Sequence, residues 1–341
     1  MRIRSIDAFR GLAIMLMVFY TISFLLSRSL PDLLRHNVAG SLHIGDFVLP
    51  LFLFASGMSL VFFHEKRKKK KARDYVLDVV ERFGKLVLIS FFISPFSAGG
   101  FLQMDEVMLS AVLFLACVAL VELPEFALLM AGLVVFVLYF ALDALLLLPD
   151  FSAYYLGGYP AAVFYLPVML GGVIAGKRVA GKKGLTIALL GAGLLFVVLL
   201  LLVPPYKSDA TPSFMALSVL FSLLVFVLVE GLVGRERASG MTRERIARPE
   251  HDTAGVGRDE ERRGILEYLG RQPIKYWVLM FVVVKIPVEV YAFSAGLELP
   301  LELGWTNAVL IATLCVPVLY GISLGIDMVT GRLKPQSKEK R

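Results

Sequence analysis

Charge is scarce in this chain: 18% of its 341 residues are Asp, Glu, Lys or Arg, against about a quarter in a soluble domain. Hydrophobic residues make up 57% and the mean hydropathy is +0.75, which excludes an ordinary soluble globule. Side-chain amides are scarcer still. Two asparagines and three glutamines stand beside many Lys, Arg and Glu, the composition trend of heat-adapted proteins, which points to a thermophilic microbe. The two cysteines, Cys117 and Cys315, both fall inside apolar runs. They read as small core residues rather than as a disulfide, a metal pair or a redox couple. There is no Gly/Ser-rich or Pro-rich linker and no repeat of fixed short period, so residues 1–341 read as a single domain. Basic residues precede the first apolar run as in a signal peptide, but no small-residue cleavage site follows it, so the run is expected to stay as a membrane anchor.

What is present in quantity is apolar sequence. A helix needs roughly 20 apolar residues to cross a hydrocarbon core of about 30 Å. Ten stretches approach or meet that length, at about 11–28, 46–63, 84–100, 106–121, 126–147, 159–176, 184–204, 213–233, 274–293 and 305–328. The expected fold is therefore all-α, a polytopic integral membrane protein of about ten transmembrane helices.

Ten crossings place both termini on one side, and the charges test this because Lys and Arg accumulate in cytoplasmic loops. With the N-terminus inside, 31 of the 35 Lys and Arg residues fall in inner segments; Arg28, Arg35 and Lys207 fall in outer loops and Lys285 within a span. Both termini are thus expected to be cytoplasmic in a multi-pass protein of the cell membrane, with His36 and His43 on the outer side. The net charge of +7 does not indicate nucleic acid, because it is concentrated next to membrane. KRKKKKAR at 66–73 reads as a topology signal and a contact for anionic lipid headgroups. Residues 235–265 are dense in charge and lack a packing pattern, so a mobile cytoplasmic loop is expected there.

Three places carry candidate chemistry. The first is the outer loop between spans one and two, with His36, His43 and, opening the second span, Asp46. A near-neutral imidazole takes protons or acyl groups, and an acid beside it can fix its tautomer. The plainer alternatives are a solvated loop histidine and a helix-capping aspartate. The second place is Lys285, a cation within a span, with Glu289 one helical turn on and Pro287 between them. Such a pair neutralises itself, lines a polar cavity, or serves as a proton relay of a secondary transporter. Pro287 is expected to open the helix locally. The third is Asp7 and Arg10, three residues apart at the start of span one. His64 and His251 fall at the inner surface and in the charged loop, and read as ordinary surface residues.

Several local patterns resemble the catalytic domain of the heparan-alpha-glucosaminide N-acetyltransferase family and its prokaryotic relatives. SIDAFRGLAIMLMVF at 5–19 is similar to the opening of the family's first helix. His36, with Asp46 ten residues later in DFVLPLFLFASG, is similar to its His, Asp and aromatic span. FYLPVMLGGVIAGK at 164–177 and YLGRQPIKYW at 268–277 resemble its Gly-rich middle helix and its late Gly-Arg-x-Pro helix start. The chain departs from the pattern at Ala39, where the family has Trp, at Tyr20 and Thr21, where it often has Asn or His, and at Met280, where it often has His.

The resemblance implies transfer of an acetyl or other acyl group from cytoplasmic acetyl-CoA to a hydroxyl or amine of an extracytoplasmic glycan or glycolipid. It makes His36 the catalytic residue with Asp46 behind it, and His43, Thr21, Lys285 and Glu289 candidates for the substrate cavity. Relatives imply a homodimer, and no metal is expected. A microbial source would lack heparan, so another glycan is the expected acceptor. Acyl-CoA carries phosphates that Arg and Lys bind well. Arg10, with Asp7 beside it, is the leading candidate for that contact, followed by Arg82 and Lys85.

Overall fold

A computed structural model describes residues 3–27, 29–31, 34, 42–97, 103–148, 158–207, 209–247 and 264–330, with side chains not described at 235–247. His36, His251, Arg28, Arg35 and Ala39 therefore lie outside the described residues. The described residues are helical or in short connections, with no strand among them. The helices are α1 (Arg4–Leu26), α2 (Val48–Arg67), α3 (Ala72–Ser97), α4 (Glu106–Leu120), α5 (Glu125–Ala144), α6 (Gly158–Ala180), α7 (Thr186–Leu200), α8 (Pro212–Ala247), α9 (Ile265–Arg271), α10 (Pro273–Met280), α11 (Ile286–Ser294) and α12 (Trp305–Val329).

Seven helical segments among these are long and apolar enough to cross a membrane: α1, α2 with the short turn before it, α5, α6, the start of α8, the α10–α11 unit, and α12. All ten expected spans fall on helix, and three of them fail that measure for separate reasons. Helices α4 and α7 have 15 residues each, about 22 Å of rise. The first half of α3 carries Arg73, Asp74, Asp78, Glu81, Arg82 and Lys85, so only its second half is apolar. Helix α8 continues to Ala247. The first part of the stretch expected as a loop at 235–265 is therefore helical backbone, and residues 248–263 lie outside the described set.

Helix α1 is the hub, packing against α2, α8, α9, α10 and α12. Phe9 in its second turn is fully buried, edge-on to Phe54 of α2 and Phe226 of α8, with ring centroids 6.1 and 5.5 Å away. Without a hydrophobic drive between helices in lipid, association depends on close packing, and small residues permit it. Two crossings use this device. A Cβ on Gly11 would sit 1.8 Å from the Leu266 carbonyl oxygen, and one on Gly270 would sit 1.6 Å from that of Asp7, so α1 and α9 touch backbone to backbone. Across α2 and α6, a Cβ on Gly57 would meet the Met169 oxygen at 2.2 Å and one on Gly172 the Phe54 oxygen at 2.1 Å. The segments around Asp7–Gly11 and Gly270, 260 residues apart in the chain, are thereby held against each other.

The helix ends that carry most of the basic residues meet at one end of the bundle, called here the basic end. His64 at the end of α2 bonds Tyr75 of α3 through Nδ1 (3.1 Å) and faces Glu122 after α4 through Nε2 (3.3 Å). It is 8% exposed, which corrects its assignment as an ordinary surface residue: it clips three helix ends together. Asp78 accepts from Lys70 and Arg67, which hold its carboxyl below the usual carboxylate range. Helix α10 runs into one π-helical turn, Phe281–Lys285, before α11. Pro287 at the start of α11 has no N–H to give, and the wider turn absorbs the missing bond.

Candidate functional site

Two polar centres sit along α1 and α2, and each collects residues from distant parts of the chain. The first lies toward the basic end. A small cavity of about 40 Å³ is lined by Arg10 and Ile14 of α1, Ser56 of α2, Arg82 of α3, Glu106 and Ser110 of α4 and Trp277 of α10, among others. Arg82 reaches it between two rings, with its guanidinium 5.0 Å from the Phe63 centroid and 4.9 Å from that of Phe114. Arg82 stands ahead of the apolar half of α3. Burial, followed by the charges of Arg10 and Arg67, pulls its pKa down to about 10. With Glu106 in the same lining, the two guanidinium groups leave one positive charge in excess, which favours an anion there. The Trp277 indole N–H is buried there without a hydrogen-bond partner among the described residues, which leaves a donor for a guest carbonyl or phosphate oxygen.

The structure thus brings together two of the four residues expected to hold a donor's phosphates. Lys85 does not join them: its ammonium pairs with Glu81 and its side chain is 68% exposed. Asp7 is turned to α9, 3.9 Å from Arg271 Nε.

The second centre surrounds Asp46 at the opposite end of α2. Its carboxylate is fully buried. Oδ2 accepts from the His43 backbone N–H at 3.0 Å, and Oδ1 accepts from Lys207 Nζ at 3.2 Å. The phenols of Tyr20 (α1) and Tyr165 (α6) lie within electrostatic reach of the same group. His43 is the capping residue of the short 3-10 turn Ile44–Phe47, with its side chain accepting from the Asp46 backbone N–H. His43 is thus the N-cap and Asp46 the third residue of a capping box, in which the Asp46 carboxylate caps the turn by accepting from the His43 N–H. Thr21 is half-buried on α1, rotated about 100° from Tyr20.

Lys207 was expected only as an outer-loop charge. It is held by a compact turn, in which the Tyr206 N–H donates to Thr211 Oγ1 at 2.9 Å and Ala210 adopts a positive φ of 49°. A non-glycine residue in that region is strained and is kept only where its surroundings over-determine it. No sequence pattern announces this contact, because Lys207 and Asp46 are 161 residues apart. Ser56, Ser110 and Tyr165 escaped notice as single residues within apolar runs, whereas Glu106 stands beside Asp105 at the start of one and Trp277 two residues after Lys275.

Along α1 the two centres are ten residues apart, from Arg10 to Tyr20, and along α2 ten residues, from Asp46 to Ser56. Each interval corresponds to about 15 Å of helix rise. Lys285 belongs to neither centre. Its Nζ is 3.9 Å from Glu289 Oε1 and 4.9 Å from the Phe281 ring centroid, with Asp105 and Glu106 of α4 within electrostatic reach. Among the described residues, no group of three or more His, Cys, Asp and Glu side chains is placed to hold a metal.

A comparison with curated proteins gave no match. Residues 2–190, which carry α1 to α6, Arg10, Arg82 and Asp46, match the family model described as heparan-alpha-glucosaminide N-acetyltransferase, catalytic. As that match spans more than half of the 341 residues, the chain belongs to the heparan-alpha-glucosaminide N-acetyltransferase catalytic-domain family.

Proposed function

We propose that the protein is a membrane acyltransferase that moves an acetyl group from cytoplasmic acetyl-CoA to a hydroxyl or amine of an extracytoplasmic glycan or glycolipid. Family membership supports acetyl transfer as the reaction class. The observation that carries the rest is the stacking of a cationic cavity and a buried carboxylate centre about 15 Å apart along the same two helices. The bundle then has ten crossings with both termini in the cytoplasm, an arrangement supported by the basic residues gathered in one set of loops.

In this reading Arg10 and Arg82 hold the donor's phosphates at the cytoplasmic side. Ser56, Ser110 and the Trp277 N–H face the amide-bearing arm of the coenzyme. A cavity of about 40 Å³ holds water rather than an acyl-CoA, so the donor enters by parting α3 from α10. The thioester comes to lie beneath Tyr20 and Asp46. His36, in the loop leading to His43 and Asp46, removes the acceptor proton as the oxygen or nitrogen attacks the thioester carbon. The carbon–sulfur bond breaks and the thiolate takes the proton, so acetyl-CoA and acceptor become coenzyme A and acetylated acceptor. Asp46 stabilises the imidazolium formed in between.

The test is incubation of purified protein with labelled acetyl-CoA and a panel of amino sugars and glycolipids, following coenzyme A release and label transfer, with His36→Ala in parallel. We expect transfer by the wild type and at least a hundredfold loss in the variant. Full turnover by His36→Ala would remove the role of the histidine. Failure of the wild type to bind acyl-CoA would remove the donor.

A further inference from the structure

A second, larger cavity lies away from both polar centres. It is an apolar groove of about 380 Å³ between the α5–α6 pair and α7–α8. Small residues on all four helices create it: Gly132 on α5, Gly171 on α6, Ala188 and Gly191 on α7, and Ala216 on α8. Helix α7 closes one side while burying little of itself; Ile187, Leu190 and Leu194 are 71%, 70% and 68% exposed. The volume corresponds to about a dozen water-sized groups at roughly 30 Å³ each. Left dry, its lining would forfeit dispersion contacts, and water has too few polar partners along an apolar wall.

Only one end is polar. There Arg178 Nε donates to Glu125 at 3.0 Å and Lys183 Nζ lies 3.4 Å from the same carboxylate. Arg178 stands in the last turn of α6, and Lys182 and Lys183 belong to the turn after it, in which Lys182 takes a positive φ of 54°. Among the residues lining the groove, Arg178 and Glu125 are the charged ones and balance each other, so Lys182 and Lys183 on the adjoining turn add two positive charges above that end. Lys183 is 64% exposed, so its ammonium is available to a ligand above the groove.

We infer that the groove is a binding site for one anionic phospholipid, with an acyl chain between α5–α6 and α7–α8 and the phosphate at Arg178, Lys182 and Lys183. An apolar slot of chain-like capacity ending in surplus cations matches that amphiphile and no water-soluble ligand. The site is independent of the acyltransferase reading, since none of its residues lines the Arg10–Arg82 cavity.

Native mass spectrometry of the purified full chain, titrated with phosphatidylglycerol or phosphatidylcholine of identical chains, tests it. The wild type should hold its first phosphatidylglycerol at least tenfold more tightly than phosphatidylcholine. Lys182→Glu with Lys183→Glu should bring that ratio close to one. Gly132→Leu with Gly191→Leu should abolish the tight adduct. A Cβ at Gly191 meets nothing within 4 Å and one at Gly132 meets only Pro167, nearest at 3.8 Å, so these side chains can enter the groove without displacing a helix. An unchanged melting temperature for both variants would show that they fold. Equal retention of the two lipids by the wild type would overturn the inference. So would wild-type retention in the filled variant, or glycerophosphate without chains binding as tightly as the lipid.

Discussion

Lys207→Met should destabilise the protein far more than Asp46→Asn, although the two changes break the same ion pair. At 3.2 Å the pair's Coulomb energy is about 5 kcal/mol at an effective dielectric constant of ~20, much of it offset by desolvation. The two partners differ in what remains after the other is removed. Asp46 is 0% exposed, so without that cation its carboxylate stays buried, which costs about 3–5 kcal/mol. The Lys207 side chain is 17% exposed and long enough to reach water, so Asp46→Asn should cost about 1–2 kcal/mol. The double variant should resemble Asp46→Asn rather than the sum, giving a coupling energy about as large as the Lys207→Met cost itself, about 3–5 kcal/mol. At about 2 °C per kcal/mol, Lys207→Met should melt roughly 6–10 °C below wild type and the other two roughly 2–4 °C below. Cys117, fully buried in α4, is a built-in reporter: a thiol-reactive fluorophore labels it only as the bundle opens, in a Cys315→Ala background. Equal single-variant losses that add in the double would refute the assignment of Asp46 as a buried carboxylate neutralised by Lys207.

Three further outcomes can be measured with the same preparations. Arg10→Gln and Arg82→Gln should each weaken coenzyme A binding about tenfold or more by calorimetry, as loss of a charged hydrogen bond worth ~1.5–3 kcal/mol. Lys85→Gln should stay within about twofold, and equal losses in all three would detach the cavity from the donor. Gly270→Ala should prevent recovery of folded protein, because its Cβ would lie 1.6 Å from a backbone oxygen, whereas Gly84→Ala, with nothing within 4 Å, should be neutral or stabilise α3 by about 0.5–1 kcal/mol. Lys285→Met should lower the melting temperature more than Lys285→Met combined with Glu289→Gln, since the single change leaves a half-buried acid within a span without the lysine 3.9 Å away. The reverse ranking would place Glu289 outside that pair's influence.

Hydropathy located the helices because each span is a property of contiguous residues: all ten expected spans fall on helix. It also bounded α4, expected at 106–121 and found at Glu106–Leu120, where Asp105 caps the helix by accepting from the Met108 N–H and is held from α3 by Ser90 Oγ. Arg10 and Arg82 were legible as cations where expected spans begin, and their meeting was not, because it depends on where α3, packed against α4, carries Arg82 in space. Lys85 shows the limit of that reasoning. It is three residues from Arg82, and the side chains point to opposite fates: one into the cavity, the other to Glu81 at the surface. Asp46 was legible as an acid at the mouth of a span. Its partner was hidden by 161 residues of intervening chain, and its capping neighbour by the rarity of histidine in that role.

The family match ends at residue 190, yet neither polar centre is complete within it. The cavity of Arg10 and Arg82 takes Pro273, Ile274 and Trp277 from α10, and Asp46 takes its ammonium from Lys207. Both contributions depend on how later helices are seated. Helix α9 is locked to α1 through Gly11 and Gly270, which sets the position of α10 directly after it. Thr211, bonded to Tyr206 just ahead of α8, shapes the turn that carries Lys207. A chain ending at residue 190 would keep Arg10, Arg82 and Asp46 but leave the cavity open on the α10 side and the buried carboxylate without its lysine. Residues beyond 190 therefore complete both polar centres, Lys207 at Asp46 and α10, seated by Gly270 against α1, at the cavity of Arg10 and Arg82.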